Sequence, residues 1–463
     1  MTPRSSLKPA VVKELRASWP VLAGALTAMF ASPVLAGGQF RGAGILAYTV
    51  GAASLGALAF GHEFSSGTMH ALLALPRSRR CTASIKVAVL LGFLLLLALA
   101  GHLVTFRPLG AAPADESMFL FWLPLATAVG LAPWLTLSLR SATAGMAFSL
   151  ATPGFMFCGA LLAWVATRGF TPVPQSFVFR VGWVGTLLVS TAGAFLGWRA
   201  FQRLEAIDGG SELGWWRWRR ADTATRLPLD ARRFHPLWLL VRKELELQRM
   251  TFIVAGAYLV GVMILVLVRP VADDAVRGMT VLYVAFLPGM LGALASAEEH
   301  QFGTIEWQMT LPLASWKQWM VKVGVVLVVV GVLSLGLPGA LGLIPDRVLQ
   351  PRLAVAVLMI AAGSLYVSSA SHSSLWALLT AIGAMVVAAS LALRVALSFY
   401  PQGARMPAVG IRMFLSVAVA AAVLTLAKRN HQLVRTGGWP AGRHTAAAAT
   451  CAVCAALALT LML

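Results

Sequence analysis

The segment from Gly61 to Arg80, GHEFSSGTMHALLALPRSRR, places one carboxylate, two histidines and three arginines inside an otherwise apolar stretch. A glutamate between two imidazoles is the side-chain set of a hydrolytic zinc site. In that site H-E-x-x-H sets both histidines on one helical face, one turn apart. His62 and His70 are eight residues apart with a Gly-Thr break between them, so the spacing points away from zinc, and no metal is expected. The pair Cys451 and Cys454 reads as C-x-x-C, but in an Ala-rich run with no βαβ context. Small apolar packing is the expectation there, not redox chemistry. No lysine follows a glycine anywhere, so the chain has no phosphate-cradling G-x-x-x-x-G-K-[ST] loop. A catalytic constellation would need polar groups converging at one depth, and none is visible. The residues singled out here must do something other than catalysis.

The elements that position them are set by composition. Of 463 residues 59% are hydrophobic and 12% charged, and the mean hydropathy is +0.79. Soluble domains carry about 25% charged residues, so the chain is expected in a bilayer. A spanning helix needs about 20 apolar residues, and such runs fall near 20–36, 43–62, 84–106, 118–139, 142–166, 177–198, 251–268, 279–297, 319–344, 353–370, 376–399 and 410–427. A further Ala-rich run, 445–463, either spans or lies at the surface. Residues 1–36 resemble a signal peptide ending in SPVLAG, but a similar segment recurs in mid-chain, so the first spanning helix is the preferred reading.

The net charge of +20 gathers at the N-terminus, in 77–86, in 199–243 and in 428–443. A cytoplasmic N-terminus puts all four groups on the cytoplasmic side, as the positive-inside rule requires. WWRWRR (215–220) then suits an anionic headgroup layer, and no nucleic-acid partner is expected.

Two elements are written twice. VVKELRASW (11–19) and VRKELELQR (241–249) share Lys-Glu-Leu at an offset of 230. At an offset of 236, Glu63, Gly67, Thr68, Pro76 and Lys86 meet Glu299, Gly303, Thr304, Pro312 and Lys322. Both copies read E-x3-G-T-x7-P-x9-K, and six spans precede each return of the chain to its starting side. Parallel repeats follow: a first half over 1–198, a basic linker over 199–234, a second half over 235–430, and a basic segment with an additional C-terminal helix over 431–463. Each KEL element predicts an amphipathic helix lying in the membrane interface. Leu7, Val11, Leu15 and Trp19 form the apolar face of the first; Leu237, Val241 and Leu245 form that of the second.

The repeated element follows the second span of each half. Its Gly-Thr predicts a bend and a helix start, with Thr68 or Thr304 capping free N–H groups. Two turns later Pro76 or Pro312 ends the helix. Glu63 and Glu299 are expected at the membrane surface, since mid-bilayer burial costs about 2.5–3.5 kcal/mol. Lys86 and Lys322 either snorkel to headgroups or pair with the nearby glutamate. The apolar side chains Leu72, Leu73, Trp307 and Met309 would rest on lipid or fill a groove on a partner.

This arrangement resembles the permease subunits of ATP-binding-cassette transporters of the type-2, exporter class. Members have an amphipathic connecting helix, six spans per half, and a coupling helix in the second connection, often patterned E-x3-G-T…LL…P-x-S-R…G-K. The first copy matches with Glu63, Gly67, Thr68, Leu72, Leu73, Pro76, Ser78, Arg79 and Lys86. The second keeps Glu299, Gly303, Thr304, Pro312, Ser315 (one place along) and Lys322, and has Gln308 and Met309 where Leu-Leu would stand. The resemblance implies two separate ATPase subunits, identical or unlike, carrying ATP and Mg, with no cofactor in this chain. It also implies that the residues named, with Trp307, form the sockets. LAGGQ (35–39) mimics the family's ATPase signature but ends a spanning segment.

The fold expectation is therefore an all-α polytopic membrane protein in the plasma (bacterial inner) membrane; the resemblance implies an export permease, whose cargo the sequence does not name, though spans rich in Ala, Leu and Val suit an amphiphilic one. The alternative is a proton-coupled carrier with two six-span halves, against which stands the lack of deep acidic residues. Arg394 is expected to snorkel, and His102 and His372 to be satisfied locally. The outer connections 168–180 and 400–412 hold either a re-entrant element or an ordinary proline-rich turn.

Overall fold

A computed structural model describes residues 7–36, 41–74, 78–106, 114–169, 171, 173–204, 236–301, 313–344, 349–371, 373–399, 409–433 and 443–462. Among them every regular element is a helix and no strand occurs. Among the described residues ten helices are long and apolar enough to cross a membrane, the architecture of an all-α, multi-pass membrane protein. Large apolar side chains such as Leu95, Leu188, Val328 and Phe414 are exposed, as helices solvated by lipid require. Contacts divide the chain into two compact units, residues 1–30 with 41–233, and residues 31–40 with 234–463.

In the first unit, α1 (Leu7–Ala36) and α2 (Arg41–Ser65) precede the short α3 (Met69–Ala74). Next comes α4 (Arg79–Gly101), which continues into a π turn at His102–Phe106. Then α5 (Ala114–Ala126) and α6 (Ala132–Leu139) flank a second π turn at Thr127–Leu131, one turn past Pro124, whose ring removes a ladder donor. The unit closes with α7 (Ala142–Arg168) and α8 (Gln175–Arg203). Central α2 packs on α4, α6 and α7. Its glycines allow this: a Cβ at Gly56 would strike the Ala128 carbonyl, and one at Gly61 would strike Ala142.

The second unit runs α9 (Pro236–Leu247), α10 (Arg249–Leu267), α11 (Arg269–Gln301) and α12 (Ser315–Val330) with a π turn at Gly331–Gly336. The four-residue α13 (Leu337–Ala340) leads to α14 (Leu349–Ala370), α15 (Ser374–Phe399), α16 (Val409–Leu433) and α17 (Arg443–Met462). Here α14 is the hub, packed on α11, α16 and α17. The C-terminal Ala-rich run is no surface appendage: Ala447, Cys451, Cys454, Ala455 and Ala458 of α17 are buried. All four cysteines are free thiols, and Cys451 and Cys454 face Gly363 of α14.

Two expectations are corrected, and one left open between two readings is decided. The first connecting helix is not separate from its span, because α1 runs as one helix from Leu7 to Ala36, straight through Pro20. In the second unit the break does exist, at Gln248, whose side chain donates to the Leu291 carbonyl (3.4 Å) and accepts from the Thr251 hydroxyl (3.2 Å). The linker begins after Leu204, since α8 runs through Arg203; residues 205–235 lie outside the described residues. The outer connection at 168–180 is a turn. Gly169 (φ +67°) closes α7 by a bond to the Val165 carbonyl, and Pro174 already caps α8, leaving no length for a re-entrant helix. Its counterpart over 400–408, His372, and the side chain of Arg394 lie outside the described residues.

Candidate functional site

The residues of interest converge where α2 ends. Glu63, in the last turn of α2, is fully buried, and Lys86 in the second turn of α4 is 2% exposed. The Lys86 ammonium donates to Glu63 Oε1 (2.7 Å), to Glu14 Oε1 on α1 (2.8 Å) and to the Ala59 carbonyl (3.0 Å). An ammonium has three N–H donors, and here all three are used. Lys13, one residue before Glu14, adds a bond to Glu63 Oε1 (3.2 Å) from a half-exposed position. Two lysines and two glutamates cancel, tying α1, α2 and α4 together.

The second unit repeats the arrangement at the same offsets. Lys322 of α12 donates to Glu299 Oε2 (2.5 Å) and the Ala295 carbonyl (2.8 Å) and pairs with Glu244 Oε2 of α9 at 3.5 Å. Lys243 donates to Glu299 Oε1 (2.5 Å). Even the backbone acceptor recurs, since Ala59 and Ala295 lie the same distance before their lysines. Two details differ. Lys322 is far from equidistant, at 2.5 Å from Glu299 and 3.5 Å from Glu244, where Lys86 stands 2.7 and 2.8 Å from its two glutamates, and Lys322 is completely enclosed.

Glu63 and Glu299, expected at the membrane surface, are both buried within their own units. Desolvating an ion costs several kcal/mol, recovered only when a counter-ion and further hydrogen bonds are in place. The three acceptors around each lysine meet that condition. Snorkelling by Lys86 and Lys322 is thereby replaced by ion pairing. One carboxylate oxygen in each unit, Glu63 Oε2 and Glu244 Oε1, is buried with no hydrogen-bond partner. In α9, which is not a spanning helix, burial is the largest influence on the Glu244 carboxyl and pushes its pKa up to about 7. Lys322 pulls it down less strongly, and Glu299 adds to the rise.

Glu14 and Glu244 of the KEL helices point inward, while Leu15 and Trp19 (58% exposed), from the expected apolar face of α1, point outward; Leu237, Val241 and Leu245 of α9 are half-buried. Sequence reasoning missed Lys13, Glu14, Lys243 and Glu244 as network members. The signal was the Lys-Glu-Leu identity itself, because an interfacial helix needs only a charged face, not the same two charges in the same order.

From this network the chain turns sharply. The Thr68 N–H bonds to the Glu63 carbonyl (3.0 Å) and the Gly67 N–H to the Phe64 carbonyl (3.3 Å). With Gly67 at φ +65°, this is a Schellman cap. The left-handed conformation, and not a steric limit, demands glycine: no atom lies within 4 Å of its missing Cβ. Thr68 does not cap the next helix as expected. Its hydroxyl pairs with that of Ser66 (2.8 Å), while its carbonyl starts α3 by accepting from the Leu72 N–H (3.0 Å). Leu72 and Leu73 on α3 are half-buried. Ser78 caps α4 by accepting from the Cys81 N–H (3.3 Å), and Arg79 donates to the Gln202 carbonyl at the end of α8 (2.7 Å). Ser315 has no such role, since Ala314 occupies the cap of α12. Pro76, Gly303, Thr304, Trp307, Met309 and Pro312 lie outside the described residues.

No protein-family model, curated protein or solved structure matches the chain. The geometry is therefore the ground for any functional reading. Among the described residues no three His, Cys, Asp or Glu side chains are grouped to hold a metal ion. His102 is exposed, its ring edge-on to Phe121 at 6.2 Å. What the site can do is mechanical: a short helix leaves a capped helix end that is bonded to two further helices.

Proposed function

We propose that the chain is the membrane-embedded permease of an ATP-binding-cassette export system, driven by separate ATPase subunits that grip α3 and its counterpart near 303–312. The observation that carries this reading is the placement of α3. It departs at Gly67 from a helix whose last turn is bonded through Glu63 to Lys86 of α4 and, via Lys13, to α1. A displacement of α3 would thus pass to three helices at once, as a coupling element requires. The repetition of the ion network at Glu299, Lys322, Lys243 and Glu244 supports a second such element. The unpartnered oxygens of Glu63 and Glu244 give each network a spare acceptor, so the lysines can re-pair as helices tilt. Switching a two-state bundle from 1:99 to 99:1 needs about 5.5 kcal/mol, within the reach of nucleotide binding and hydrolysis. No catalytic role is assigned to the chain itself, and spans rich in Ala, Leu and Val suit an amphiphilic cargo.

The test is affinity purification of the full chain from its native membrane in a mild detergent, followed by mass spectrometry. A protein with a G-x-x-x-x-G-K-[ST] loop should accompany it in near-stoichiometric amount. Its absence, combined with a phenotype of the deletion strain that protonophores reproduce, would favour the proton-coupled carrier instead.

A further inference from the structure

On the face of α1 turned away from Leu15, Pro9, Val12, Lys13, Arg16 and Ala17 form, with His62 of α2, an open groove of about 460 Å³. The charges in it are not balanced from within. Lys13 and Lys86 are offset by Glu14 and Glu63, so Arg16 is in surplus. Arg16 is exposed and makes no hydrogen bond or ion pair among the described residues. Lys13 keeps part of its ammonium accessible, with its side chain 44% exposed, and His62 supplies a further donor. The groove therefore offers three nitrogen donors and no carboxylate of its own.

Its position identifies the anion. His62 lies in the last turn of the apolar stretch Gly44–Ser65, so the groove sits where a bilayer's headgroups would meet the end of that helix. Val12 and Trp19, both exposed, provide an apolar flank beside the charges. A tryptophan next to cationic side chains is a common anchor at the headgroup level.

The second unit supplies an internal comparison. At the same offsets Arg16 is replaced by Glu246 and His62 by Glu298. Val12 becomes Arg242, which is consumed by Glu246 at 3.1 Å. The place that is cationic and open in one half is acidic and internally paired in the other.

We propose that the first-half groove binds the phosphate headgroup of an acidic phospholipid, and that the corresponding face of the second half does not. This inference is independent of whether an ATPase drives the protein. An acidic lipid seated beside Lys13 would compete with Glu63 for its ammonium and so act on only one of the two ion networks.

Native mass spectrometry of the full chain in neutral detergent, titrated with phosphatidylglycerol, phosphatidylcholine or inorganic phosphate, tests it. Phosphatidylglycerol should bind preferentially, and the double variant Arg16→Glu/His62→Glu should weaken it by at least about tenfold, the loss expected from even one hydrogen bond to a charged group. Arg16→Gln, a change at an exposed and unpaired side chain, should show most of that loss with an unaltered melting temperature. Glu246→Arg in the second half should not diminish the affinity. Equal binding of the two lipids, or unchanged phosphatidylglycerol affinity in Arg16→Gln, overturns the site. Displacement of the lipid by millimolar inorganic phosphate overturns the lipid assignment in favour of a free-anion site.

Discussion

Replacing Lys86 with methionine removes a buried charge while nearly conserving side-chain length. Glu14 and Glu63 then lose their shared partner at 2.8 and 2.7 Å, and the Ala59 carbonyl loses its donor at 3.0 Å. Breaking a buried pair from one side costs about 3–5 kcal/mol, because the remaining charge is left uncompensated. Glu63 retains Lys13 at 3.2 Å, which places the expected loss near the lower end, about 3 kcal/mol. At about 2–4 °C per kcal/mol for units of this size, Lys86→Met should melt about 6–12 °C below the parent protein in detergent. Glu63→Gln alone should also destabilise, since it strips Lys86 of its nearest counter-ion. The double variant removes both charges, so its cost should fall short of the sum of the two by about 0.5–3 kcal/mol. Tryptophan-fluorescence melts of the four proteins supply the cycle. Strictly additive losses, or a Lys86→Met shift below about 2 °C, would show that the network is not coupled and refute the reasoning.

Other consequences follow from the same geometry. The Glu244 carboxyl, raised by burial from 4.5 to about 7 with Lys322, Lys243 and Glu299 around it, holds a proton in the folded state that the unfolded chain releases. Its stabilising contribution is complete below about pH 4.5 and lost as pH rises through about 7, so Glu244→Gln should flatten the melting temperature across that interval. Gly67→Ala must hold an L side chain at φ +65°, costing about 1–2 kcal/mol locally, and Gly67→Asn should be milder. Gly67→Pro should insert normally yet uncouple ATP turnover from transport; a coupled variant would count against the hinge. In Gly363→Leu, Cβ would lie 3.0 Å from Cys454 Cβ and 3.2 Å from Cys451 Cα. Overpacking there costs about 1–3 kcal/mol and should make both buried thiols reactive to maleimide, which unchanged labelling would contradict.

Helix content and most boundaries were readable from apolar run lengths, because a bilayer leaves helices few alternatives. The pairing of Glu63 with Lys86 was also within reach, as both sit near the adjoining ends of consecutive spans at a repeated spacing. The orientation of α1 and α9 was not. Apolar periodicity marks the inward face only when water is the solvent; in lipid the tryptophans turn out and a lone glutamate turns in to meet its lysine. The continuity of α1 was obscured by the charge density of residues 8–16, which suggests an interface, and by Pro20, a residue type that ordinarily ends a helix. Thr68 was misjudged because Ser66, two residues earlier, competes for its hydroxyl. The burial of α17 depends on small residues of α14 that become neighbours only through tertiary packing.

The account turns on α3 and its counterpart being the surfaces an external ATPase holds. A photo-crosslinking amino acid placed at Leu73, and separately at Met309, followed by mass spectrometry of the adducts from intact cells, addresses that directly. The account predicts an ATPase subunit captured from each position, with little capture from exposed Leu188 on α8. Adducts to lipid alone at both positions, with no ATPase at either, would contradict it.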